Sequence, residues 1–233
     1  MSVPAEELGT LAHHPEEARL VALVAPESVA AEQYRILLAR LDRISATRPL
    51  RLVAFSSCAP GEGRTTTAVN LALTAARDGR EVALVEADLK RPSVARLFDL
   101  VPAAGLAEVA AGKAELAQAI SRVGNLAVVC AGAAHGATTV LRSPRLAAAM
   151  ETLRSSFRLV VLDGPPAFAF SGAGQIAACV DGIVLVVLAG ATPRDVVQMA
   201  VESLSDRLLG IVLNGVEQPA HAERYLTDAV GTL

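Results

Sequence analysis

Six short apolar runs, RLVAFSS (51–57), EVALVEA (81–87), NLAVVCA (125–131), RLVVLD (158–163), GIVLVVLAG (182–190) and LGIVLNG (209–215), alternate along this chain with segments of helical periodicity. Most are apolar at consecutive positions, so each strand they form needs cover on both faces. The helical spacing recurs over 64–78, 115–121, 144–156, 173–179 and 193–206. Strands joined by helices close into a parallel sheet through right-handed crossovers. The alternation therefore predicts an α/β fold: a mostly parallel central sheet with helices on both faces. Ligands of such sheets sit outside the carboxyl ends of the strands.

The 233 residues suit one large domain and contain no low-complexity linker. Residues 1–25 are expected to wrap the surface or stay mobile. The domain proper, 26–233, opens with PESVAAEQYRILLARLDRI. There Pro26, Glu27 and Ser28 supply helix-start chemistry, and Tyr34, Leu37, Leu38 and Leu41 recur at helical spacing. A net charge of −3, no basic run and 3% aromatic residues leave no footprint for nucleic acid. The acidic start lacks the order of a signal peptide, and the apolar stretches fall short of the ~18 residues of a membrane span. The chain reads as cytoplasmic, without direct membrane insertion. Cys58, Cys130 and Cys179 have no metal-ligand spacing and are expected as buried reduced thiols. His13, His14, His135 and His221 form no zinc motif.

The first run leads into CAPGEGRT and then a helix, the context that raises a glycine-rich match above chance. Gly61 and Gly63 can adopt angles that turn successive N–H groups inward around a phosphate. The helix from Arg64 adds the positive end of its dipole. Thr65 is placed to offer a hydroxyl to Mg2+. At the end of the second run, Glu86 and Asp88 are two apart and can share a face beside the loop. The fourth run ends in Asp163, four apolar residues and then an acid, the pattern that holds Mg2+ through water. Alone, either acid reads as a solvated strand end; with the loop, they predict a metal-and-phosphate site on a P-loop NTPase-like fold.

With these motifs in this order, the chain resembles the bacterial tyrosine kinases of capsule and exopolysaccharide export, within the MinD/ParA-type P-loop ATPases. The resemblance covers roughly 26–217. It rests on PESVAAEQYRILLARL, on SSCAPGEGRTT for Walker A and on VEADLKRPSVARLF for Walker A′. GLAEVAAGKAELAQAI, SPRLAAAMETLRSSF, LVVLDGPP for Walker B and LGIVLNGV add to it. It implies ATP and Mg2+ as cofactors, a seven- or eight-stranded sheet, and Asn214 as a contact to the adenine base. It implies nucleotide contacts from Gly61, Glu62, Gly63, Arg64, Thr65 and Thr66, metal contacts from Thr65, Asp88 and Asp163, and catalytic roles for Arg64, Asp88 and Glu86.

Departures from the family pattern bear on activity. Arg64 stands where the family carries lysine, and Glu86 where it carries Asp. A guanidinium is a wide planar fork, whereas an ammonium is a compact point charge that fits between phosphates. Losing one such transition-state contact costs on the order of 3 kcal/mol, a hundredfold in rate. The family's tyrosine-rich tail is replaced by two tyrosines in all, Tyr34 and Tyr225. Its Glu-x-x-Arg-x-x-Arg assembly motif is reduced to Glu32 and Arg35 followed by Leu38, which reads equally as a surface pair.

Three functions remain open at this stage. The first is an ATP-binding, kinase-like regulator of polysaccharide biosynthesis or export with weakened or lost phosphotransfer. It would be recruited to the inner face of the cell membrane by a membrane chain-length regulator. The second is an active protein-tyrosine kinase in which Asp88 is the base toward a partner's tyrosine. The third is a MinD/ParA-type positioning ATPase, opposed by the lack of a second lysine in SSCAPG and by a weakly amphipathic end. A homo-oligomer is left open.

Overall fold

In the computed structural model the described residues are 20–133, 140–171 and 178–216. His13, His14, His135, His221, Tyr225 and most of the 173–179 segment lie outside them. Among the described residues seven strands form one sheet: β1 (Leu52–Ser57), β2 (Val82–Glu86), β3 (Ile120–Val123), β4 (Leu126–Val129), β5 (Leu159–Asp163), β6 (Gly182–Leu188) and β7 (Leu208–Asn214). Their order is β3-β4-β2-β5-β1-β6-β7. Every pairing is parallel except that of β3 with β4. All six expected runs are strands.

The seventh strand corrects the reading of 115–121 as helix. Only Leu116–Ala119 is helical, and Ile120 already has extended angles and pairs with Val129. The strand ISRV carries two polar residues and is bonded on one side only, so no apolar run announces it.

Helices cover both faces. On one side lie α1 (Val21–Val24), α2 (Val29–Ser45) and α3 (Arg64–Arg77), packed over Val53, Phe55, Leu84 and Val161. On the other, Leu106–Ala110, Pro144–Ser156 and Arg194–Leu204 cover Ala54, Val85, Val129 and Leu162. Alternate residues of one strand thus serve two cores, which is why β1, β2 and β5 are apolar at consecutive positions.

Ser28 caps α2, its Oγ accepting from Ala31 N at 3.2 Å. The α1 turn is tied to α3 by Asn70 Oδ1, which accepts from Ala22 N at 2.9 Å, and by Arg77, which donates to the Ala22 carbonyl at 2.6 Å. Glu32 and Arg35 do form the surface pair, at 2.6 Å, and Arg35 also donates to the Pro26 carbonyl. All three cysteines are free; Cys58 and Cys130 are buried, but Cys179 is only half-buried. No helix among the described residues is long and apolar enough to cross a membrane.

Candidate functional site

Strand β1 ends at Ser57 and α3 begins at Arg64, so residues 58–63 turn the chain from sheet to helix at the carboxyl edge. Gly61 (φ +89°) and Gly63 (φ +87°) adopt the left-handed angles such a turn needs. At Gly63 a second constraint acts: a Cβ would lie 2.0 Å from Asn214 Nδ2. Asn214, at the end of β7, donates that Nδ2 to the Glu62 carbonyl at 2.9 Å. The sheet edge therefore braces the loop from outside. A cleft of about 210 Å3 faces the turn, with Ser57, Gly61, Gly63, Arg64, Thr65 and Arg96 in its wall.

Glu62, although charged, is buried. Its Oε2 accepts from the N–H of Cys58 at 2.7 Å and of Ala59 at 3.1 Å, and Oε1 accepts from the Thr192 hydroxyl. A carboxylate inside the turn thus satisfies its first two donors and links it to the segment after β6.

Arg64 is also buried, 7% exposed. Its Nε donates to Asp163 Oδ1 at 3.0 Å, its Nη1 to Ser57 Oγ at 3.1 Å, and its Nη2 to Asp88 Oδ2. Thr65 Oγ1 donates to Asp163 Oδ2 at 2.7 Å, so both oxygens of Asp163 are engaged. The other Asp88 oxygen accepts from Lys90 N at 3.3 Å and Arg91 N at 3.2 Å. Register puts Asp163 beside Phe55 of β1 and Glu86 of β2, which is how acids from β2 and β5 converge on the helix start. Burial pushes the Asp163 carboxyl up to about 6, against the pull of Arg64 and Thr65.

The expected residues Gly61, Gly63, Arg64, Thr65, Thr66, Asp88 and Asp163 are brought together. Glu86, expected to share a face with Asp88, takes a different task. Its Oε1 accepts from the N–H groups of Ser93 and Val94, and its Oε2 from Ala131 N at 3.0 Å. It joins β2 to the short helix Val94–Leu97 and to the end of β4, and burial raises its carboxyl above the ordinary range.

Three residues escaped the sequence reading: Ser57, Thr192 and Arg96. Ser57 and Thr192 could have been found from the rule that sites line the carboxyl ends of strands, since they end β1 and follow β6. Arg96 had no signal of its own.

A magnesium ion asks for oxygen ligands at about 2.0–2.1 Å in near-octahedral array. Thr65, Asp88 and Asp163 meet in space, but the carboxylate oxygens of Asp88 and Asp163 already accept from guanidinium, hydroxyl and backbone N–H groups, and the Thr65 hydroxyl is directed at Asp163. As arranged, they do not fit the ion. Among the described residues no group of three or more His, Cys, Asp or Glu is placed to hold one elsewhere.

Comparison with known proteins places this geometry. Residues 50–214 match the ParA family model described as NUBPL iron-transfer P-loop NTPase. The chain is 32% identical over 210 residues to the tyrosine-protein kinase YwqD of Bacillus subtilis, covering 88% of this chain and 89% of that one. It is 31% identical over 199 residues to the succinoglycan biosynthesis transport protein ExoP of Rhizobium meliloti, covering 82% of this chain and a quarter (25%) of ExoP. Among solved structures it superposes on the kinase domain of the Escherichia coli tyrosine kinase ETK with a TM-score of 0.79 and 27% identity, covering 86% of this chain and 81% of that one. The chain belongs to the bacterial tyrosine kinases, within the ParA-type P-loop NTPases.

Proposed function

We infer that the protein is an ATP-binding, tyrosine-kinase-like regulator of capsule or exopolysaccharide biosynthesis or export, in which phosphotransfer is weakened or lost. Its partner in this role is a membrane chain-length regulator, which would draw a cytoplasmic protein to the inner face of the membrane. The relationship to YwqD and ExoP supports the setting. The observation that carries the catalytic half is the position of Arg64.

A phosphate entering the cleft meets the turn at Gly61 and Gly63 and the start of α3, whose N–H groups and dipole favour an anion. The loop is preshaped for this, since Glu62 and Asn214 hold it from two sides. Transfer needs more than binding: it needs a cation aimed at the charge that develops on the migrating group. Arg64 borders the cleft, but all three of its guanidinium nitrogens are engaged by Asp88, Asp163 and Ser57.

An active kinase is the second reading, favoured by kinship with named tyrosine kinases. It asks Asp88 to take a proton from tyrosine, but both Asp88 oxygens already accept hydrogen bonds. Tyr34 is a poor acceptor, half-buried with its hydroxyl engaged by the side chains of Thr67 and Asn70.

The test is phosphotyrosine formation and ATP turnover by the purified protein beside Arg64→Lys. Turnover by the natural protein about a hundredfold below that of the lysine variant is the expected result. A robust phosphotyrosine signal from the natural protein, on itself or on a partner, would overturn the catalytic half.

A further inference from the structure

We propose that the Arg64 guanidinium stands in for the divalent cation at this site, so that the protein binds ATP independently of Mg2+. The inference rests on the nucleotide-binding reading above and deepens it, by naming the form of nucleotide the site accepts.

Three observations support it. First, the two acids facing the helix start, Asp88 and Asp163, are nearly or wholly buried and are both bound by the same side chain. A buried carboxylate pair needs a counter-charge. In this chain it is covalently present, delivered from the first residue of α3.

Second, the fork geometry is used in full. Nε, Nη1 and Nη2 each have their own acceptor, on β5, β1 and the segment after β2. An ammonium has a compact charge without this planar reach, so the arrangement depends on arginine in particular. Displacing the guanidinium with a metal ion would strand a buried cation and strip three hydrogen bonds. Both oxygens of Asp163 already accept a hydrogen bond, one from Arg64 and one from Thr65, so an ion would have to share or displace these contacts.

Third, the phosphate side of the turn stays open while the acid side is closed. The cleft in front of Gly61, Gly63, Thr65 and Thr66 has both Arg64 and Arg96 in its wall. The short helix that carries Arg96 is anchored at its start by Glu86, through Ser93 N and Val94 N. A triphosphate there meets the N–H groups of the turn and the positive end of α3 without a metal ion. No bond is made or broken in this step; it is a binding equilibrium in which Arg64 keeps its partners.

The experiment is a calorimetric titration of the full chain with ATP, in excess Mg2+ and in excess EDTA, repeated with Arg64→Lys. For the natural protein the two dissociation constants should agree within about twofold. For Arg64→Lys, which frees an Asp88 oxygen, binding should be at least about tenfold tighter with Mg2+ than without. The natural protein alone decides the question if the variant does not fold. Binding by the natural protein that weakens about tenfold or more in EDTA overturns the inference and leaves the nucleotide reading standing. Absence of binding in both conditions overturns the nucleotide reading, and the inference with it. A lysine variant equally indifferent to Mg2+ would show that Arg64 is not what replaces the ion, and also overturns it.

Discussion

Two buried charges, one inside the same six-residue turn and one just after it, behave differently. Glu62 is turned in on the turn's own N–H groups and tied to Thr192, so its charge shapes the loop. Arg64 borders the cleft, but its guanidinium is held by Asp88, Asp163 and Ser57, so its charge is spent neutralising acids. One keeps the phosphate cradle in form; the other closes the adjoining acidic site. A loop can thus keep its shape while the acids beside it are committed elsewhere, because the two tasks use different side chains.

The comparison can be broken most sharply at Arg64. Arg64→Ala leaves two buried carboxylates without their cation, and urea denaturation at pH 7 should show a loss of about 3–5 kcal/mol. Gly63→Ala acts on the loop itself, through a strained φ of +87° and a Cβ that meets Asn214. A loss of about 2–3 kcal/mol in the same assay, with ATP binding abolished by calorimetry, is expected. Glu62→Gln keeps an acceptor for the turn but drops its charge. It should cost about 1–2 kcal/mol and weaken ATP binding without altering any Mg2+ dependence. If Glu62→Gln were the more damaging to stability than Arg64→Ala, the assignment of roles would be reversed.

The smallest effect concerns pH. Asp163 has its folded value raised to about 6 from an ordinary 3.8. Between those values the folded state binds more protons than the unfolded one, so this residue makes stability rise as pH falls and decline as pH rises through about 6. Carboxyls held low, such as Asp42 beside Arg80, act in the opposite sense. The difference between the natural protein and Asp163→Asn, compared at several pH values in urea, isolates the Asp163 part.

Much of the molecule was legible in the sequence. Strands apolar on both faces had to be central or covered, and β1, β2 and β5 are. The glycine-rich turn and the two acids after β2 and at the end of β5 do meet in space, as their places in the sequence predicted. Strand β3 was not legible, because a four-residue edge strand with polar positions has no period to read. Nor was the division of labour between Glu86 and Asp88. Glu86 ends β2 and Asp88 follows it by two residues, but which carboxylate meets backbone and which meets Arg64 depends on where the segments after β2 and β4 pass. Sequence put Arg64 at the start of the helix; only packing shows that its guanidinium is held by the acids.

The most direct measurement is proton exchange at the Arg64 Nε–H, followed by NMR in the nucleotide-free protein at neutral pH and assigned by its absence in Arg64→Lys. A guanidinium held by Asp163, Asp88 and Ser57 out of solvent predicts a resolved Nε–H signal that exchanges far more slowly than those of exposed arginines and loses its protection in Asp163→Asn. An Arg64 signal exchanging as fast as those of the exposed arginines would contradict the account, because it would place the charge in the open cleft, where a transferring phosphate could meet it.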